Sequence, residues 1–208
     1  MKLIGEKSIN SLNLIAQGAE AKLYREETKL IKDRIKKNYR IEDIDKRLRK
    51  QRTKKEAKIL EKLSSLGFTP KLINVDENKI EMEFIDGITL RDYLNKSNHK
   101  KLMQELGKKT ATLHNKGIIH GDLTTSNFIV KKGKIYFIDF GLAFEEDHVE
   151  HKAVDLHLLR QALESKHYEI WEKCLKQALN SYKKESKDGK EVLERLKQVE
   201  MRGRYKHK

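Results

Sequence analysis

With 208 residues the chain is long enough to bury a substantial core, either as one large domain or as two small lobes. Charged residues make up 38% of it and the formal net charge is +14, which is lopsided for an enzyme of small neutral molecules and suits a polyanionic partner, although a Lys and Glu excess also marks thermophile surfaces. Cys174 is the single cysteine, which excludes a disulfide framework and a four-cysteine zinc site within the chain. No N-terminal apolar leader and no apolar run of roughly 18 to 20 residues is found, so the expected setting is cytoplasmic, without a membrane partner.

Residues 1 to 40 alternate short apolar runs with polar residues, as in "SLNLIAQGAEAKLY" and "TKLIKD", and read as antiparallel strands. Lys32 ends the apolar run "KLI" in the strand after the turn-rich "AQGAEAKLYREE", where a phosphate-contacting lysine would project; Lys29 or Lys36 would take its place if the register slipped. From about Glu42 to Leu66, helix formers with acidic residues in the first turn and Gly67 as a stop predict a long helix. Within it Glu56, Ile59, Leu60 and Leu63 fall at helical spacing, which puts a glutamate in the buried stripe. A buried carboxylate needs compensation, either from Lys32 or, if Glu56 only flanks the stripe, from Arg52 one turn earlier. "RLRKQRTKK", Arg47 to Lys55, is a basic stretch on the outer face of this helix and suits phosphate contacts.

After Pro70, the only proline, "KIEMEFIDG" alternates as a strand and reaches Gly87, a natural lobe boundary. "HKKLMQELGKKTATLHNKG" follows as a helix with Leu102, Leu106 and Leu113 on one face and Gly117 as its C-cap. Phe128 to Val130 and Ile135 to Ile138 are then two strands about the turn-like Lys131 to Lys134, a hairpin. A hairpin returns the chain to its starting level, so Asp139 is expected beside Asn127, with Asp122 one short loop back. Two carboxylates and a carboxamide in that position form a hard-oxygen site suited to Mg²⁺ held with few protein ligands and shared with phosphates. Either Asn127 or Asp139 alone would read as a turn or cap residue.

His120-Gly121-Asp122 with Asn127 five residues past the aspartate follows the kinase catalytic-loop pattern, and Asp139-Phe140-Gly141 follows the metal-binding triplet. In those roles Asp122 handles the proton of the attacking hydroxyl or water, and Asn127 and Asp139 ligate the metal. The predicted architecture is α+β, a minimal two-lobed protein-kinase-like fold with an N-terminal lobe over 1–85 and a mostly helical lobe over 86–208. Two features depart from ordinary protein kinases. The phosphate-covering loop keeps only Gly18 of three glycines, with Ala19 and Ala21 as its other small residues. Thirteen residues separate Gly141 from Asp155, and no proline is available for an Ala-Pro-Glu sequence, so an activation segment is lacking. Asp155 is expected either to hydrogen-bond the catalytic-loop backbone or to be an ordinary helix N-terminal acid. From about Ala153 a helical chain is predicted almost to the end, with Val154, Leu158, Leu159, Ala162 and Leu163 as its apolar stripe.

"HGDLTTSN", "IDFGLA", "QGAEAKLY", "IKDRIKKNYR", "RTKKEAKIL" and "HKAVDLHLLRQAL" together resemble the small atypical kinase subunit of the KEOPS complex, the PRPK family, over nearly the whole chain. The resemblance implies ATP and Mg²⁺ as cofactors, an ATPase or Ser/Thr kinase activity, and a part in making threonylcarbamoyladenosine in transfer RNA. It also implies a threonylcarbamoyltransferase subunit and other KEOPS subunits as partners, with no DNA partner. Carried onto this chain, the catalytic set is Asp122, Lys32 and Glu56, and the ATP contacts are Gly18, Ala19, Glu20, Ala21, Lys32, Glu83 and Ile85. The closing "MRGRYKHK" is read as too basic to pack, with Arg202, Arg204, Lys206 and Lys208 as RNA contacts around Tyr205, as in the family's basic tail. In some archaea this kinase is fused behind the transferase, so the chain is either separate or part of such a fusion. His148, His151 and His157 lack the fixed spacing of a zinc site and are read as solvated. Two other readings stand beside this one: a small-molecule phosphotransferase, which the missing peptide platform favours, and a catalytically idle RNA-binding scaffold.

Overall fold

The computed structural model describes residues 13–204 and divides the chain into two compact units, 1–85 and 86–208. In the first unit, five strands form one antiparallel sheet: β1 (Asn13–Gln17), β2 (Ala21–Glu26), β3 (Lys29–Arg34), β4 (Leu72–Val75) and β5 (Lys79–Glu83). Their order across the sheet is β1-β2-β3-β5-β4. The alternation read from "KIEME" is real, since Ile80 and Met82 are buried while the residues beside them are half-exposed. Helix α1 (Glu42–Leu63) buries Glu56, Ile59, Leu60 and Leu63 on one stripe, then tightens into a 3-10 turn over Ser64–Leu66 before Gly67 adopts a left-handed φ of 67°. That turn shortens the expected α-helix by three residues, because the last carbonyls are satisfied by closer bonds at the glycine stop.

The second unit begins with a short strand, β6 (Ile88–Thr89), and one turn of helix, α2 (Leu90–Tyr93), capped by the Thr89 hydroxyl. Helix α3 (His99–Asn115) buries Leu102, Leu106 and Leu113, and Gly117 follows with a φ of 67°. Strands β7 (Ile118–Ile119) and β10 (Phe144–Glu145) pair as one small sheet, and β6, β8 (Phe128–Lys131) and β9 (Lys134–Phe137) form another in the order β6-β8-β9. The hairpin loop is two residues, shorter than the four expected, because Lys131 and Lys134 pair as the last rung of the ladder. Lys132 and Gly133 turn the chain with φ of 50° and 72°, and positive φ at both central residues is the geometry that matches strand twist in a two-residue hairpin.

Three helices complete the unit: α4 (Val149–Lys166), α5 (Trp171–Glu185) and α6 (Gly189–Arg204). They pack in pairs, α3 on α5 and α4 on α6, around Ala111, Ala153, Leu156, Tyr182, Val192 and Leu196. α4 corrects the expected stripe, since Val154 is 37% exposed while Ala153, Leu156, Leu159 and Leu163 are buried. The buried face is rotated because it includes two polar side chains, Lys152 and Asp155, that periodicity of apolar residues does not register. Helix α6 continues to Arg204, as the prediction of a helical chain almost to the end requires, and Arg202, 63% exposed, pairs with Glu150 at 2.7 Å. Lys206 and Lys208, with Tyr205, lie outside the described residues.

Candidate functional site

In the first unit, strand alternation turns Lys32 and Arg34 to the same buried face, and α1 brings Glu56 against both. The Lys32 ammonium donates to Glu56 Oε1 at 2.7 Å and the Arg34 guanidinium donates to Oε2 at 2.5 Å, with the glutamate 1% exposed. Glu56 therefore takes the paired alternative. Arg52 bonds Glu20 at 2.6 Å, and Lys36 bonds Glu42. Arg34 is a second partner that sequence reasoning missed. Its signal was the two-residue spacing from Lys32, which in a strand means a shared face.

The expected phosphate loop joins β1 to β2. Gly18, Ala19 and Glu20 are exposed, Ala21 is buried, and the Gly18 N–H donates to the Ala21 carbonyl at 3.0 Å. The Lys37 ammonium donates to the Ala19 carbonyl. A Cβ built on Gly18 would meet nothing closer than 3.9 Å, so packing does not demand glycine there; its absence leaves room for a ligand against the backbone. Glu83 closes β5 half-buried and Ile85 is 6% exposed two residues on.

In the second unit the hairpin does what its topology requires. The Ile138 N–H donates to the Asn127 carbonyl at 3.0 Å, so the residues just before β8 and just after β9 are bonded, and Asp139 follows directly with a φ of 59°. The Asn127 carboxamide NH₂ donates to the Asp122 carboxylate at 2.8 Å and to its backbone carbonyl at 2.9 Å. With its nitrogen committed, Asn127 has its side-chain oxygen left to offer. Asp122 and Asn127 are half-buried and Asp139 is exposed. Gly121, at φ 77°, lies where a Cβ would stand 2.6 Å from the Leu142 carbonyl, so the loop can pack on the segment after Asp139 only with glycine there.

Asp155 is the anchor of this loop. Its Oδ2 accepts the His120 N–H at 2.7 Å and its Oδ1 accepts the Gly121 N–H at 2.9 Å. Behind it stands a network the sequence did not disclose. His114 Nε2 lies 3.2 Å from Asp155 Oδ2, and His114 Nδ1 lies 2.8 Å from the Tyr182 hydroxyl, all three side chains being at most 1% exposed. With Asp155 already accepting two backbone N–H groups, the arrangement suits a His114 Nε2–H donating to Oδ2 and the Tyr182 O–H donating to Nδ1. Burial raises the Tyr182 phenol above its ordinary range, which keeps it protonated as a donor. His120 is fully buried against Phe140, with ring centroids 5.0 Å apart, and its Nε2 donates to the Ile138 carbonyl at 3.2 Å. Burial lowers the pKa of His120 below that of a free histidine, so the ring is neutral where it ties the catalytic loop to the end of β9.

Three of the basic residues expected to meet RNA on α1 are paired: Arg49 with Asp45 at 2.7 Å, Lys50 with Glu77 at 2.9 Å and Arg52 with Glu20. No group of three metal-ligating His, Cys, Asp or Glu side chains is present among the described residues. The oxygens of Asp122, Asn127 and Asp139 are a sparse hard-oxygen set, of the kind suited to a divalent cation shared with a phosphate-bearing ligand.

A five-stranded sheet with one paired helix, followed by a helical unit built around a short hairpin, defines a minimal protein-kinase-like chain without an activation segment. The RIO domain family model matches residues 16–160. In fold the chain is similar to the Rio2 kinase of Chaetomium thermophilum, solved as an ADP/Mg²⁺-phosphoaspartate complex, with a TM-score of 0.64 at 18% identity over 93% of this chain and 70% of that one. KEOPS complex subunit Bud32 of Pyrococcus abyssi is 43% identical over 95% of this chain and 98% of its own length. A probable bifunctional tRNA threonylcarbamoyladenosine biosynthesis protein of Methanobrevibacter smithii is 41% identical over 94% of this chain, which spans 37% of that longer protein. The chain belongs to the Bud32 family of KEOPS complex subunits and carries the RIO domain, in agreement with the resemblance read from its motifs.

Proposed function

We propose that the chain is an ATP- and Mg²⁺-dependent phosphotransferase, spending ATP on water or on a Ser/Thr hydroxyl, and that it acts as a KEOPS subunit in forming threonylcarbamoyladenosine on transfer RNA. The observation that carries the chemistry is the grouping at the root of the β8–β9 hairpin: Asp122 bonded to Asn127, Asp139 at the exit of the second strand, and the loop pinned by Asp155. The names of the Pyrococcus and Methanobrevibacter relatives support the biological setting.

In this reading Asp122 accepts or orients the proton of the attacking hydroxyl or water. Asn127 and Asp139 hold Mg²⁺, which when bound neutralises charge on the phosphates. Within the first unit, Lys32, oriented by Glu56, and the loop Gly18, Ala19, Glu20 and Ala21 are the phosphate contacts. Glu83 and Ile85 contact the base. The buried hydrogen bonds that hold Lys32 in the first unit and the 120–121 backbone in the second fix side-chain and loop positions within each unit, which is what preorganised catalysis requires. Arg202, Arg204, Lys206 and Lys208 contact RNA, and a threonylcarbamoyltransferase subunit is the principal protein partner, in the cytoplasm.

Reconstitution tests this. With the transferase and the other KEOPS subunits present, threonylcarbamoyladenosine should form on transfer RNA with the wild-type chain and fall at least a hundredfold with Asp122→Asn. Undiminished formation with that variant would refute the proposal.

A further inference from the structure

One face of the second unit carries basic residues without counter-charge. The register sets Lys131 opposite Lys134, with Lys132 in the turn between them. Like charges directly opposite each other are unfavourable in a strand pair, and none of these three lysines has an ion pair among the described residues. Because Ile135 and Phe137 take the buried side of β9, Tyr136 shares the outer side with Lys134, half-buried and flanked by lysine.

α3 extends the same surface. Glu105 accepts the Ile135 N–H at 3.0 Å and the Lys109 ammonium donates to the Ile135 carbonyl at 2.6 Å, so the middle of the helix is fixed beside β9. The Lys109 ammonium stands 5.9 Å from the Tyr136 ring centroid. Lys101 and Lys108 lie about one turn to either side of Glu105, are exposed, and have no ion pair among the described residues. Glu105 itself is already bonded to Lys109 at 2.5 Å and to the β9 backbone. In the basic stretch of α1, by contrast, Arg49, Lys50 and Arg52 are each matched to a carboxylate, while Arg47 and Lys54 have no ion pair among the described residues.

We infer that the outer face of the hairpin with the adjoining stretch of α3 is a docking surface for the phosphate backbone of folded RNA. This rests on the reading that the chain works with transfer RNA, and it places the principal contacts away from α1. Five unmatched ammonium groups on a strand pair and a helix form a fixed array, and a tyrosine ring among them offers a base or ribose a stacking surface. An anionic membrane surface is disfavoured, since the hairpin tip presents Lys132 and Gly133 with no apolar side chain to insert.

The test is binding of an unmodified transfer RNA transcript by the full chain across a salt series. The variant Lys131→Gln, Lys132→Asn, Lys134→Gln removes three charges, and asparagine tolerates the positive φ at position 132, so the hairpin is retained. The comparator is Lys50→Gln with Arg52→Gln. The slope of log affinity against log salt should become shallower by about two units for the hairpin variant, at roughly 0.7 to 0.9 per lost phosphate contact, and by less than half a unit for the comparator. ATP turnover without RNA should be unchanged in the hairpin variant. A steep wild-type slope that the hairpin variant leaves intact would overturn the surface assignment while the transfer RNA reading stands. A flat wild-type response would overturn that reading and this inference with it.

Discussion

The shared carboxylate of Glu56 predicts unequal consequences for the two ends of the same ion pair. Glu56→Gln keeps shape and hydrogen-bonding capacity but removes the buried negative charge to which both Lys32 and Arg34, 8% and 5% exposed, are bonded. Removing one partner of a buried ion pair costs about 3 to 5 kcal/mol. At roughly 2 to 4 °C per kcal/mol for a chain of this size, the melting midpoint should fall by about 6 to 20 °C. Lys32→Met removes a cation but leaves Glu56 bonded to Arg34 at 2.5 Å, so the carboxylate stays compensated and the loss should be no more than about 1 to 3 kcal/mol. The proposed function adds that Lys32→Met abolishes ATP turnover in a chain that remains folded. Thermal unfolding of both variants by circular dichroism, with turnover measured beside it, checks the pair. A Glu56→Gln midpoint within 2 °C of wild type, or a Lys32→Met loss as large as that of Glu56→Gln, would refute the reasoning.

Other consequences follow from the second unit. Tyr182→Phe removes the donor to His114 Nδ1 at the far end of the chain of bonds to the catalytic loop; kcat should fall several-fold with KM for ATP nearly unchanged, and the His120 and Gly121 amides should exchange hydrogen faster. Gly121→Ala places a Cβ 2.6 Å from the Leu142 carbonyl at a φ of 77°, so it should cost about 2 kcal/mol or more in urea unfolding and most of the activity. His120 has its pKa lowered in the folded chain by burial, so the unfolded chain binds more protons in that range. Its contribution to stability is therefore complete above about pH 6.5 and is lost as pH falls below that, and His120→Asn should flatten this part of a stability-against-pH profile.

How much of this was legible in the sequence depended on whether the signal was local. The spacing of Asp122, Asn127 and Asp139 across two short apolar runs fixed their relation, because a hairpin leaves little choice about where its ends lie. Glu56 was legible because a charged residue at buried helical spacing demands a partner. Arg34 went unnoticed beside the more familiar lysine, although strand alternation put it on the same face. His114 and Tyr182 could not be found at all: each reads as an ordinary helix residue, and their meeting at 2.8 Å is made by the packing of α3 on α5. The α4 stripe was misplaced for a related reason. Periodicity counts apolar side chains, and the buried face there includes Asp155 and Lys152, the latter held by Asp147 at 2.5 Å and Asp188 at 2.7 Å. The pairing of Lys50 and Arg52 on α1 was equally hidden, since Glu77 and Glu20 come to it from distant strands and turns.

The central claim is that this chain turns over ATP through Asp122, and the measurement that tests it most directly is Mg²⁺-dependent release of phosphate from ATP by wild type and by Asp122→Ala, with and without transfer RNA and the transferase partner. The account predicts turnover in the wild type, raised by partner or RNA, abolished by removing Mg²⁺ and lost in the variant. Equal and negligible release by both proteins under every condition would contradict it and leave a scaffold in its place.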